Sequence, residues 1–133
     1  MTFQIESVPN ERFEQFVREG IEALPEWVRR EINNVTFLIE DEPSERQRIE
    51  NEVGDEDILF GLYEGVPLTE RGDESPFLPD TITIFRGSIL GTYTTEAEIQ
   101  ACVHNTIWHE VAHYFGHDEE WVEAEELRRG KLL

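Results

Sequence analysis

The chain has 133 residues, 38% hydrophobic and 31% charged, enough for one domain with a real core and too few for a two-lobed enzyme. Its 11 basic and 30 acidic residues leave a net charge of −19, a surface that repels phosphate backbones and anionic lipid, so neither nucleic acid nor membrane is an expected partner. The charge serves solubility, and a cleft within it would favour basic or neutral peptides.

In chain order, Val8-Pro9-Asn10 reads as a staple residue and cap ahead of a helix that carries Phe13, Phe16, Val17 and Leu24 at helical spacing. Pro25 suits the first turn of a short second helix with Trp27, Val28 and Ile32. Val35 to Ile39 is a β-branched, apolar strand, and residues 40–57 form an exposed, charged loop with room for one helical turn. Ile58 to Tyr63 is a second strand, the Pro- and Gly-containing stretch Val66 to Asp80 a loop, and Thr81 to Arg86 a third strand with alternating pattern. Thr95 and Glu98 have the spacing of a capping box at the head of a helix running from about Glu96 to Phe115. No repeats or low-complexity tracts interrupt this order, and residues 1–133 are expected to form a single domain.

The N-terminus lacks the basic and apolar regions of a signal peptide, nothing ahead of the first helix resembles an inhibitory pro-segment, and no apolar run nears the ~20 residues of a membrane span. Cys102 is the single cysteine, which forbids an internal disulfide and suits a buried small hydrophobe. These features predict a cytoplasmic location.

Within the long helix stands His109-Glu110-Val111-Ala112-His113. Two His four residues apart lie one turn apart on one face, where both imidazoles can reach a single Zn²⁺. At roughly 100° per residue, His113 falls about 40° from His109 and Glu110 about 100° from it. Glu110 is thereby placed to hold a water at the metal and take its proton, as general base. Ile99, Val103, Ile107 and Val111 fill one apolar arc, and Ala101, Trp108, Ala112 and Phe115 another. The polar stripe is narrow, which is the pattern of a mostly buried helix reaching a cleft rather than of a surface helix with two chance His.

A catalytic zinc takes three protein ligands and a water. Gly116 can adopt positive φ, end the helix and turn the chain back towards the metal, so His117, Asp118 and Glu119 are the candidates. His117 follows the turn directly, and Asp118 is also a natural cap for a following helix. Geometry favours Glu119 only weakly. His104 faces the apolar arc as a hydrogen-bonded core residue. Tyr63, Tyr93, Tyr114 and Arg86 are candidate oxyanion donors, each equally well a packing or surface residue. Thr81 to Arg86 is either a cleft-edge strand that pairs with an extended peptide or a plain core strand.

The motif resembles that of the zincins, and Gly116 resembles the glycine of the extended metzincin type. Gly61 to Arg71 and Leu78 to Gly87 are similar to a narrower group, the small bacterial zincin-like metallopeptidases of minimal fold. This resemblance spans about residues 35–128 and implies an α+β minimal zincin-like fold, with a small sheet of about three strands packed on the active-site helix between N- and C-terminal helices. It implies a third ligand at the tenth position after His109, where this chain has Glu119 instead of the group's usual Asp, and Asp118 therefore stays open. Met1 is the only methionine, so the Met-turn of true metzincins is absent from this sequence. The expectation is a zinc metalloendopeptidase acting on a peptide or protein substrate, with His109, His113 and Glu119 as ligands and Glu110 as base. The alternatives are a non-catalytic zinc protein and a hydrolase of non-peptide amides.

Overall fold

In a computed structural model, residues 8–32, 34–65 and 80–117, with Glu120 and Ala124, are described. Eight elements follow one another: α1 (Asn10–Glu22), α2 (Glu26–Glu31), β1 (Val35–Glu40), α3 (Glu45–Glu50), β2 (Gly61–Glu64), β3 (Asp80–Phe85), α4 (Arg86–Thr92) and α5 (Glu96–Tyr114). The architecture is α+β, consistent with the expected minimal zincin-like fold. The expected C-terminal helix and most of the Val66 to Asp80 loop lie outside the described residues.

The sheet has the order β1-β3-β2. β1 runs parallel to β3 with Val35 opposite Asp80, and β2 runs antiparallel with Tyr63 opposite Ile82. Thr81 to Phe85 therefore lies in the central strand, flanked on both sides, and cannot be the cleft edge. Among the described residues that edge belongs to β2.

α5 is the spine of the molecule. Thr95 accepts from the Glu98 backbone N–H and Glu98 reaches back to the Thr95 N–H, so the capping box sets the helix start where the sequence placed it. Ile99, Val103 and Ile107 are completely buried, each contributing about 1.5–3 kcal/mol of transfer free energy. They share the core with Phe13, Phe16 and Val17 of α1 and with Ile82 and Ile84 of β3.

Several boundaries differ from the sequence expectation. Asn10 is the first helical residue and makes no cap; Pro9 holds the N-cap position without a side-chain bond. Pro25 likewise precedes α2 as its N-cap. Trp27 is not a core residue but is 61% exposed. The charged stretch after β1 contains a two-turn helix, α3, because Ser44 and Gln47 form a second capping box. The second strand begins at Gly61 instead of Ile58, and Ile58 is exposed.

Candidate metal centre

α5 ends in a turn that shapes the site. Gly116 has φ 93°, its N–H donates to the His113 carbonyl, and the His117 N–H donates to the Ala112 carbonyl. This pair of bonds is the Schellman arrangement, which needs a residue free of Cβ strain at the left-handed position. The turn carries the His117 carbonyl to 3.0 Å from His113 Nδ1. A carbonyl oxygen can only accept, so Nδ1 bears the proton and Nε2 carries the lone pair that a metal ligand requires. The second His of the motif is thus oriented by the backbone three residues past the helix end.

The rings of His109 and His113 lie 5.0 Å apart at an interplanar angle of 64°, both partly buried. Glu110, on the adjoining face, is 8% exposed and accepts the Tyr63 backbone N–H at 2.9 Å through Oε1. The reason this donor is available lies in strand pairing. Phe85 N–H donates to the Phe60 carbonyl, so residues two apart from Phe60 turn their backbone groups towards β3, while Gly61 and Tyr63 turn theirs away. Tyr63 is held from its other end as well, its hydroxyl donating to Asp80 Oδ2 at 3.0 Å.

The close approach of α5 to β2 depends on Gly61. A Cβ there would sit 2.4 Å from Thr106 Cγ2 and 3.4 Å from Glu110 Cγ, with the Thr83 carbonyl at 3.2 Å on the other side. A β-branched neighbour such as Thr106 has little rotamer freedom in a helix and cannot give way. This backbone-on-helix contact brings the Tyr63 N–H within reach of Glu110. Sequence reasoning missed Tyr63 as a positioning group, because a backbone donor leaves no mark in residue type; Gly61 beside an apolar strand was the available signal.

Other candidates fall into place around this centre. Asp118 and Glu119, the acidic candidates for the third ligand, lie outside the described residues, and among the described residues no group of three or more potential ligands forms. The two imidazoles, His113 with its Nδ1–H held by the His117 carbonyl, fit two of the three protein ligands of a zinc site. The His117 side chain is exposed at the helix end. Tyr114 is buried, with its hydroxyl on the Glu31 carbonyl at 3.2 Å, and Arg86 pairs with Asp41 at 3.4 Å, so both candidate oxyanion donors serve the structure elsewhere. Tyr93 packs against Phe60, 6.0 Å between ring centroids. His104 is not the hydrogen-bonded core residue expected, since its Nε2 is buried without a hydrogen-bond partner. Cys102 is buried as expected, and burial pushes its thiol up to about 11, which leaves it protonated and a poor ligand at neutral pH.

With this geometry in hand, the comparison with protein families is decisive: the profile of the zincin-like metallopeptidases matches residues 32–129. The chain belongs to the zincin-like metallopeptidase family. The match contains β1, β2, β3 and the whole of α5, and members of such a family generally bind zinc. Among solved structures, the chain is similar to a conserved hypothetical protein from Thermo thermophilus, with 24% identity and a TM-score of 0.55 over 78% of this chain and 91% of the other. At that identity the likeness concerns the fold alone. No curated protein matches the chain significantly. No helix among the described residues is long and apolar enough to cross a membrane.

Proposed function

We propose that this zincin-like protein is a zinc-dependent peptidase, one domain in residues 1–133, in which His109, His113 and Glu119 hold the metal and Glu110 is the general base. The observation that carries this reading is the set of orienting bonds around the motif: His117 O on His113 Nδ1 and Tyr63 N–H on Glu110 Oε1. Structural histidines on a helix have no need of both, whereas a reacting pair does.

Zinc at this place would polarise a substrate carbonyl and acidify a bound water. The chain's own residues do the rest. His113, locked in the Nδ1–H tautomer, presents Nε2 together with His109 from one helix face. Glu110 takes the proton of the water and returns it to the leaving amine, while the Tyr63 N–H keeps the carboxylate from rotating away. Burial of Glu110 beside β2 limits its competing hydration. The strongly acidic surface favours basic or neutral peptides, and a cytoplasmic setting suits the lone reduced cysteine.

The test is zinc stoichiometry alongside hydrolysis of a mixed peptide library. Wild type is expected to take up one zinc and cut, and Glu110→Gln to keep the zinc while losing on the order of 10²–10⁴ in rate. Glu119→Ala should weaken zinc binding, and unchanged affinity there would move the third ligand to Asp118 or His117. Wild type that loads zinc but cleaves no better than Glu110→Gln would make this a structural zinc protein instead. Wild type that cannot be loaded at all overturns the metal reading.

A further inference from the structure

The side of α5 away from β2 has a groove that the proposed chemistry does not use. Leu24 and Trp27 form one wall, Trp108, Ala112, Phe115 and His117 the other, around a cavity of about 350 Å³. That size is within the range of small-ligand sites, roughly 300–1,000 Å³. Trp27 and Phe115 close one end as an aromatic pair, 5.7 Å between centroids at 56°. Among the described residues that line it none is Asp, Glu, Lys or Arg.

The groove lies on the helix face next to the ligand stripe. Trp108 precedes His109, Ala112 precedes His113, and His117, which lines the groove, also supplies the carbonyl that orients His113. On the opposite flank of the stripe, Thr106 and Glu110 already fill the space against Gly61. A substrate side chain adjoining the stripe therefore finds room on the groove side. The rim itself is mixed in charge, since Glu22 and Glu26 are exposed beside it while Arg30 pairs with Glu26 at 3.4 Å and Arg29 donates to the Leu24 carbonyl; the bias toward basic ligands comes from the −19 of the whole chain.

Building on the peptidase reading, we propose that this groove binds a large apolar side chain, aromatic or leucine-sized, of a substrate peptide whose neighbouring residues are basic. Stacking on Trp27, Trp108 and Phe115 supplies the affinity for the ring, and the net charge of −19 supplies the preference for the basic flanks. Trp27 is then a specificity-determining residue, which accounts for an indole that the core does not use.

Calorimetric titration of the full-length Glu110→Gln protein, which should not consume its ligand, tests this with the peptide acetyl-Arg-Ala-Phe-Ala-Arg-amide. Replacing Phe by Ala is expected to weaken binding about tenfold or more, and replacing both Arg by Glu to weaken it again, the latter effect shrinking as salt rises. Trp27→Ala removes one wall at an exposed position, and Ala23→Trp narrows the mouth; each should bring the Phe peptide down to the Ala peptide while circular dichroism stays unchanged. Equal binding of the Phe and Ala peptides, or both variants binding like their parent, overturns the proposal. Phe-selective binding in a protein that neither holds zinc nor, as wild type, cuts peptides would leave the groove standing and refute the peptidase reading alone.

Discussion

The two flanks of α5 are built in opposite ways. On the β2 side, the Thr106 and Glu110 side chains pack directly on the Gly61 backbone, and directional bonds tie the polar groups there, Tyr63 N–H to Glu110 and Tyr63 hydroxyl to Asp80. On the groove side, Trp27 pairs with Phe115 and the apolar lining leaves a cavity of about 350 Å³. The lesson is a division of labour around the two histidines. The flank that holds the Glu110 carboxylate is filled and directional, and the flank with space is lined by apolar side chains.

This contrast can be broken most severely at its tight side. Gly61→Val puts two methyl groups into space occupied by Thr106 and the Thr83 carbonyl, so α5 must move off β2. The expected cost is about 1–3 kcal/mol in urea unfolding. Hydrolysis should fall far more than zinc affinity, because Glu110 loses its backbone donor while both histidines stay on their helix. A variant with unaltered turnover would show that the Tyr63–Glu110 bond is incidental.

A smaller effect is expected at the shared end of the stripe. Gly116→Ala places a Cβ at φ 93°, at a cost of about 1 kcal/mol in thermal unfolding. It also loosens the His117 carbonyl from His113, so zinc affinity should drop several-fold with Glu110 unaffected. The ¹⁵N shifts of His113 read the result directly, as they distinguish the Nδ1–H from the Nε2–H tautomer.

The smallest effect is expected one turn back along α5, where the Cys102 thiol touches the Thr106 hydroxyl at 3.9 Å. Cys102→Ala should leave zinc binding and hydrolysis as they are. The wild-type thiol is raised to about 11 from an ordinary value near 9, so the folded state keeps its proton where the unfolded chain has lost it. Its contribution to stability is therefore complete below pH 9 and is lost as pH rises from 9 towards 11. Denaturation midpoints across that window should decline less steeply in Cys102→Ala than in wild type.

Much of this site was legible in the sequence because its signals are local. The capping box at Thr95 and Glu98 and the glycine at 116 bound α5 at both ends, and the spacing of His109 and His113 puts them on one face without any tertiary information. What was not legible depends on distant pairing. Thr81 to Arg86 carries the alternation of a strand with one exposed face, yet the order β1-β3-β2 puts it in the centre; strand order is decided by long-range contacts that the alternation does not encode. α3 was hidden because its charged residues look like a loop, although Ser44 and Gln47 have capping-box spacing. α4, reading Arg-Gly-Ser-Ile-Leu-Gly-Thr, contains two glycines that argue against a helix, and it forms because Ile89 and Leu90 are buried against the core. Trp27 reads as an apolar helix position, and only the tertiary arrangement shows that its ring faces the groove.

The bond between Tyr63 and Glu110 joins residues 47 positions apart, and the parallel pairing of Val35 with Asp80 closes a loop of similar length. Contacts of that span form late, because the entropy of loop closure must be met before they stabilise anything. The helix with its two histidines is a local structure and can form early. A nascent or partly unfolded chain would then be able to capture metal before its base is in register. On the proposed peptidase reading, competence to cut would arrive only with the completed sheet, and the topology itself would hold activity back until folding is finished.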